Sequence, residues 1–131
     1  MVKRVLAALF LVLFLVTNTG CWPVVVGTAT IVGTAVYSEG ELWQVYARNR
    51  ETVRKAVVDA AKDLAVTLEG AVDTVDVITY EGTFRDGTPV TIDIRRLAPT
   101  KIEVGVRAGH VGVWDRDRAE VFHRHVARNL S

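Results

Sequence analysis

Two neighbouring stretches of the chain alternate apolar and polar residues so regularly that they restrict the fold to one kind of sheet. The stretches are TPVTIDIRRL at 88–97 and KIEVGVRAG at 101–109, and their apolar members are Val90, Ile92, Ile94, Ile102, Val104 and Val106. Successive side chains of a β-strand point to opposite faces, so each stretch predicts a strand with one apolar and one polar face. A clean polar face predicts an antiparallel sheet that is covered on one side only.

The polar face of these two strands carries charges of both signs, on Asp93, Arg95, Lys101, Glu103 and Arg107. Cross-strand pairs between such residues are weak, and the usual meaning of the pattern is a solvated face. The alternative is that these five residues form a face that docks a partner protein.

The RDGT segment predicts the turn that joins the first of these strands to a strand ending at Phe84. Phe84 and Val90 should both face the core. A two-residue loop at Asp86–Gly87 would place them on opposite faces, whereas a three-residue loop at 85–87, with a bulge and a left-handed Gly87, places them on the same face. We therefore predict the three-residue turn.

Two further stretches have the period of an amphipathic helix. The first follows Asn49, which can cap a helix, and its apolar positions are Val53, Ala56, Val57, Ala60 and Leu64. The second follows Asp115, another capping residue, and its apolar stripe is Ala119, Phe122, Val126 and Leu130. Each stretch predicts a helix that covers one apolar surface.

The remaining strand signals lie before the hairpin. GELWQVYARN at 40–49 alternates as a strand does. The Val- and Thr-rich segment 64–84 lacks a helical period and predicts a strand, a possible break at 69–73, and a second strand from about Val75 to Phe84. The predicted order over residues 38–131 is β-α-β-β-β-α. The simplest architecture with this order is a single two-layer α+β domain, with an antiparallel sheet of about four strands and two helices on its apolar face.

The first twenty residues have the three parts of an export signal. Lys3 and Arg4 precede an apolar run at 5–16, and small or polar residues follow it. The run is shorter than the roughly 20 apolar residues that a membrane-spanning helix needs. The signal ends in NTGC at Cys21, the single cysteine of the chain. A free thiol is a poor choice in an oxidising compartment, so either Cys21 is modified or it is a stray buried thiol.

The pair Gly20–Cys21 resembles the lipobox of bacterial lipoproteins, with Asn18 standing where those proteins prefer an aliphatic residue. In such proteins the signal is cut before the cysteine, whose sulfur receives a diacylglycerol. The resemblance implies that residues 1–20 are a lipoprotein signal peptide and that Cys21 carries lipid. The residue after the cysteine is Trp22 rather than the Asp that resembles an inner-membrane retention signal, which favours the outer membrane.

The segment VVVGTATIVGTAVY at 24–37 carries no charge and is too short to span a bilayer. Ala29 and Gly33 favour a closely packed helix, whereas its Val, Ile and Thr residues favour a strand. We expect residues 21–37 to form a lipid-anchored apolar tether or a short helix packed on the domain. Membrane contact or self-association of the segment is the alternative.

The sequence offers no constellation typical of an enzyme or of a metal site. His123 and His125 are two residues apart on a predicted helix and point in different directions, and we expect His125 to be a packed histidine at the edge of the apolar stripe. No phosphate-binding glycine loop is present. With 16 basic and 15 acidic residues, the chain has no charge excess that favours nucleic acid. We therefore expect no enzymatic activity, no cofactor and no metal.

The chain resembles a family of small bacterial lipoproteins known only as a domain of unknown function. The matching motifs are Gly20–Cys21, Gly27 to Ala35, Gly40–Glu41–Leu42, Lys62–Asp63–Leu64, Asp86–Gly87–Thr88, Val90–Thr91–Ile92, Lys101–Ile102, Val104, Val106 and Gly109. The chain differs from this pattern at Pro89 and Trp114. The resemblance covers nearly the whole segment after Cys21 and implies no substrate and no catalytic residue.

These observations lead us to expect a lipid-anchored module of the bacterial envelope that faces the periplasm, with the outer membrane favoured over the inner. Its expected contacts are the membrane, through the N-terminal lipid, and an envelope protein that it binds or scaffolds; the oligomeric state stays open. The alternative is a carrier that holds a small apolar ligand between helices and sheet, near Trp43, Tyr80 or Trp114.

Overall fold

The structure, a computed structural model, describes residues 2–6 and 31–131. Residues 2–6 are helical. The strands are β1 (Ile31–Ser38), β2 (Glu41–Tyr46), β3 (Thr67–Asp73), β4 (Val77–Thr83), β5 (Pro89–Ala98), β6 (Lys101–His110) and β7 (Val113–Trp114), and the two long helices are α1 (Arg50–Asp63) and α2 (Arg116–Asn129).

The seven strands form an antiparallel sheet with the order β1-β2-β6-β5-β4-β3, and the short β7 pairs with β6. Strands β3 to β6 follow one another as a meander. The pairing of β2 with β6 joins strands that are about 60 residues apart along the chain, with Trp43 opposite Gly105. This long-range pairing places the N-terminal hairpin beside the meander.

The predicted fold class is wrong. The chain does not form a sheet of about four strands with two helices in the order β-α-β-β-β-α; the described residues form a seven-stranded sheet, and they include three helical segments. The observed order from Ile31 onwards is β-β-α-β-β-β-β-β-α.

The two edge strands of the sheet differ from the prediction: β1 was not expected, and β3 includes residues 69–73, where a break was expected. Within the apolar segment 24–37, residues 31–37 belong to strand β1 rather than to a short helix, because β-branched residues favour extended backbone and β2 offers a free edge. Strand β3 is exposed along almost its whole length, so its sequence has no alternating pattern. The part of the predicted tether at 21–30 lies outside the described residues.

The predicted three-residue turn between β4 and β5 is confirmed. The Phe84 amide donates to the Thr88 carbonyl at 2.8 Å, which leaves residues 85–87 as the loop, and Gly87 has φ +89°. Asp86 in this loop is bonded to Arg118 at the start of α2, and the guanidinium holds the pKa of the Asp86 carboxyl below its usual range. The turn is therefore tied to the helix layer.

The two long helices begin at the predicted caps. The side chain of Asn49 accepts from the Thr52 amide, and that of Asp115 accepts from the Arg118 amide. Both helices pack against the same face of the sheet, which we call the inner face. The core between the layers is filled by residues of 0–2 % exposure, such as Tyr46, Ile92 and Phe122.

One polar cluster lies inside this apolar layer. The Tyr46 hydroxyl donates to Nδ1 of His123 at 2.8 Å, and Nε2 of His123 donates to the Leu42 carbonyl at 2.8 Å. Since a carbonyl only accepts, His123 must carry its proton on Nε2. Burial lowers the pKa of His123 to about 4, so the side chain is neutral at ordinary pH.

Candidate functional site

The opposite face of the sheet, which we call the outer face, concentrates charged and aromatic side chains. The pairing register places Trp43, Gly105, Asp93 and Thr79 in one row across β2, β6, β5 and β4. The neighbouring row places Glu41 beside Arg107 and Thr91. In the described part of the chain, both long helices lie on the other side of the sheet, so these rows are not covered by a helix.

Glu41 is the most unusual residue of this face, because its carboxyl group is buried on the side of the sheet opposite the two long helices. Only 6 % of the residue is exposed. Its Oε2 accepts from the Arg107 guanidinium at 3.2 Å, whereas its buried Oε1 has no hydrogen-bond partner. An acceptor without a donor is costly in a buried position, and a proton on Oε1 removes that penalty.

The surroundings of Glu41 favour this protonated form. Burial and the neighbouring Asp93 carboxyl together raise the pKa of Glu41 to about 7, although the charges of Arg107 and Arg95 act in the opposite direction. Asp93 is itself held in place by the Thr79 hydroxyl, which donates to its Oδ1 at 2.6 Å. Below neutral pH, Glu41 is therefore an acid that can donate a hydrogen bond to the Asp93 carboxylate.

Gly105 provides the space for this arrangement. A Cβ atom at position 105 would lie 2.7 Å from Oε1 of Glu41 and 2.7 Å from ring carbons of Trp43. The absence of a side chain thus lets the Trp43 ring and the Glu41 carboxyl group lie against the backbone of β6.

The Gly105→Ala substitution is expected to lower the free energy of unfolding by about 1–3 kcal/mol, because the added methyl group displaces the Trp43 ring or the Glu41 carboxyl. Urea denaturation followed by circular dichroism measures this change. The matched control is Gly70→Ala, since a Cβ there has no neighbour within 4 Å. Equal effects of the two substitutions would contradict the packing role of Gly105.

Two arginines complete the site by stacking on its aromatic rings. The Arg95 guanidinium lies 4.5 Å from the centre of the Trp43 ring and donates to Glu103 at 3.1 Å. The Arg107 guanidinium lies 5.3 Å from the Trp114 ring, and that ring packs so closely on Gly40 that a Cβ there would overlap it. Stacked and paired in this way, both guanidinium groups are held in defined positions.

The structure brings four of the five residues of the predicted partner face into this site. Asp93, Arg95, Glu103 and Arg107 lie in it, and they form pairs with each other or with Glu41. Lys101 is exposed at the start of β6, beside the turn to β5, and lies apart from the aromatic rings.

Sequence reasoning missed Glu41, Trp43, Gly105 and Trp114 as members of the site. The alternation of β2 does place Glu41 and Trp43 on one face, but only the pairing of β2 with β6 brings that face to Arg107. No local signal in the sequence specifies this pairing.

The three histidines do not lie together in one site. His123 is buried with Tyr46, His125 is partly buried with Nδ1 3.5 Å from Asp63, and His110 is exposed at the end of β6. Across residues 2–6 and 31–131, no cluster of three or more His, Cys, Asp or Glu is arranged to hold a metal ion.

The three aromatic residues expected near an apolar ligand lie on different faces of the sheet. Trp43 and Trp114 belong to the outer face, whereas Tyr80 is buried on the inner face, opposite Ile92. The structure therefore does not assemble them into one binding site.

The predicted lipidation site, Gly20 and Cys21, lies outside the described residues, as do residues 7–19 of the predicted signal peptide. Among the helices at 2–6 and within 31–131, none is long and apolar enough to cross a membrane.

Comparison with known families identifies one relationship. The profile of a family described as "Protein of unknown function (DUF3568)" matches residues 4–129, which is nearly the whole chain. No curated protein matches the sequence.

Proposed function

Given that the chain belongs to the DUF3568 family, we propose that it is a non-catalytic, lipid-anchored lipoprotein of the bacterial envelope that binds or scaffolds another envelope protein through the outer face of its sheet. The lipid on Cys21 holds the domain at the membrane, on the periplasmic side, and the outer membrane is favoured because Trp22 follows the cysteine. The domain after the tether is the binding part.

The observation that carries the binding role is the composition of the outer face. Tryptophan and arginine are the residues that contribute most to binding energy at protein interfaces. Here Trp43 and Trp114 are partly exposed, and each has an arginine stacked on its ring. Because Arg95 and Arg107 are already held by rings and carboxylates, they lose little conformational freedom when a partner binds.

The charges of this face favour a polar protein surface as the partner. Acidic and basic groups alternate, as in the pair Arg95–Glu103 and the pair Arg107–Glu41. A surface with alternating acidic and basic groups selects a partner by complementary charges rather than by a strong net attraction. This property is typical of a surface that binds one particular protein.

Photo-crosslinking in cells tests the proposed face. A photoreactive residue at position 81, which is exposed on the outer face opposite Thr91, is expected to crosslink the chain to one envelope protein of defined mass. The control position is Lys62, which is exposed on helix α1. Trp43→Ala should abolish the crosslink at position 81. Crosslinks to many proteins, or equal crosslinking from position 62, would contradict a specific outer-face partner.

The Cys21→Ser substitution is expected to prevent lipid attachment, so that mass spectrometry finds the diacylated N-terminus in the parent protein but not in the variant. Because two or three acyl chains anchor a protein durably, the parent should remain in the membrane fraction and the variant should lose this attachment. An unmodified Cys21 thiol in the purified parent protein would overturn the proposed anchor.

A further inference from the structure

One end of the sheet contains the start of β1, and we call it the anchor-side end. Ile31, the first residue of β1, pairs with Tyr46 at the end of β2, and Tyr46 pairs with Ile102 near the start of β6. The start of β1, the end of β2 and the start of β6 therefore lie together. A chain that comes from a lipid on Cys21 reaches the domain at this end.

Two apolar side chains are exposed at the anchor-side end. Val75 lies in the turn between β3 and β4, and Leu97 lies near the end of β5, shortly before the turn to β6. The Arg96 amide donates to the Asp76 carbonyl at 3.0 Å, which ties these two segments together. Val75 is 75 % exposed and Leu97 is 50 % exposed. Exposed apolar side chains at one end of a sheet are suited to shallow insertion between lipid headgroups.

Three basic side chains lie at the same end of the sheet as Val75 and Leu97. Arg48 follows β2, Arg96 lies beside Asp76, and Lys101 is exposed at the start of β6. Arg50 is also nearby, but it is paired with Asp73 at 2.7 Å. Glu51, at the start of α1, is also paired, with Arg54 at 2.8 Å. Outside these two pairs, three basic groups and the acidic Asp76 lie at this end of the described sheet, a balance that complements the anionic headgroups of a phospholipid surface.

We infer that the anchor-side end, through Val75, Leu97 and the basic groups at that end, contacts the anionic surface of the same membrane that holds the lipid on Cys21. The inference rests on the proposed function, since it needs the lipid anchor. Ten residue steps separate Cys21 from Ile31, so the extended chain keeps this end within about 36 Å of the anchor. The opposite end lies farther away by the length of a ten-residue strand, roughly 33 Å.

The position of the anchor, rather than apolar exposure alone, distinguishes the two ends. Val111 and Val113, in the loop at the opposite end, are 92 % and 74 % exposed. They are as apolar as Val75, but the chain from Cys21 does not reach the domain there. Val111 is therefore a matched control for Val75, with the same side chain and high exposure at the other end of the sheet.

Fluorescence quenching by lipids tests the contact with the full lipoprotein. The chain has one cysteine, and lipidation consumes its thiol, so Val75→Cys and Val111→Cys each introduce a single reactive thiol for an environment-sensitive dye. The labelled proteins are reconstituted in vesicles of phosphatidylethanolamine and phosphatidylglycerol that contain a lipid with a quencher in its headgroup. The dye at position 75 is expected to be quenched and blue-shifted, and the dye at position 111 to be neither.

The charge contribution is tested in the same vesicles. Arg96→Gln together with Lys101→Gln should reduce the quenching of the dye at position 75, as should replacing phosphatidylglycerol by a neutral lipid. Lys55→Gln, on an exposed position of helix α1, is the control and should change nothing. Quenching that does not depend on lipid charge would contradict the role assigned to the basic residues.

The outcomes separate the inference from the proposed function. If the parent chain itself takes up the dye, Cys21 is not lipidated, and the anchor and the membrane contact are both refuted. If the parent takes up no dye but positions 75 and 111 are quenched equally, or position 111 more strongly, the anchor stands and the membrane contact is overturned.

Discussion

In the Glu41→Gln variant, the free energy of unfolding is expected to fall by about 2–3 kcal/mol as the pH is lowered from 6.5 to 4.5, a range in which the parent protein should change by less than about 1 kcal/mol. The expectation follows from two buried groups, Glu41 and His123, that bind protons differently in the folded and unfolded chain. Glu41 makes the folded protein more stable as the pH falls, and His123 makes it less stable.

Glu41 stabilises the fold on the acid side. Its pKa is raised from 4.5 to about 7 in the folded protein, so the folded state holds a proton that the unfolded state has released. This contribution is fully present below pH 4.5 and is lost as the pH rises through 7. His123 behaves in the opposite way, since burial lowers its pKa from 6.5 to about 4. Its contribution is present above pH 6.5 and is lost as the pH falls through 4.

Between pH 4.5 and 6.5 the two contributions cancel. The folded chain then carries a proton on Glu41, and the unfolded chain carries one on His123, so folding changes the number of bound protons by little. Replacing Glu41 by Gln removes the contribution that rises in acid. The contribution of His123 remains, so the free energy of unfolding falls as the pH is lowered, by at most about 1.4 kcal/mol per pH unit. Urea denaturation at closely spaced pH values measures the slope.

Glu81→Gln is the matched control for this prediction. Glu81 lies on the same face of the sheet as Glu41 but is exposed to water, so its replacement should leave the pH profile of the parent unchanged. A Glu41→Gln profile that runs parallel to the parent profile would show that Glu41 does not hold a proton in the folded state.

Local rules predicted those parts of the structure that depend on few neighbouring residues. The loop 85–87 followed from the need to place Phe84 and Val90 on one face, and the caps at Asn49 and Asp115 followed from the chemistry of helix N-termini. The two faces of β5 and β6 were visible because each strand has one buried and one partly solvated side. In each case, neighbouring residues determine the structure.

The two edge strands could not be delimited from the sequence, for the opposite reason. Strand β3 buries little on either face, so nothing in its sequence records which side is inward. Strand β1 comes from an uncharged segment whose composition suits a helix or a strand, and only the free edge of β2 decides between them. The number of strands, and with it the fold class, was therefore underestimated.

Half of the candidate site was predicted, and the other half depends on one long-range pairing. Asp93, Arg95, Glu103 and Arg107 share a face because β5 and β6 are neighbours in the sequence. Glu41 joins them only because β2 pairs with β6. The same pairing of distant elements explains His123, since its partners Tyr46 and Leu42 are supplied by β2.

The His123→Gln variant is expected to show the opposite slope to Glu41→Gln, with the free energy of unfolding falling by about 2–3 kcal/mol as the pH rises from 4.5 to 6.5. Glutamine keeps a donor for the Leu42 carbonyl. The Tyr46 hydroxyl keeps the backbone carbonyl of residue 123 as an acceptor, which lies 3.3 Å from it in the parent protein. Loss of the ring and of one hydrogen bond should destabilise the variant by a further 1–2 kcal/mol or so at every pH.

His110→Gln is the control, because this histidine is exposed at the end of β6 and is not part of the Tyr46 cluster. It should keep the level profile of the parent. A level profile in the His123→Gln variant would contradict the cancellation, because it would mean that Glu41 alone does not make stability depend on pH.

The double variant, Glu41→Gln with His123→Gln, distinguishes cancellation from the absence of titration. A level profile in the parent is compatible with either explanation, since groups that do not titrate also give no slope. If cancellation holds, the two single variants slope in opposite directions and the double variant is level again, because neither state then binds the extra proton. A slope that persists in the double variant would assign the pH dependence to other groups and remove the argument that Glu41 is a buried acid on the outer face.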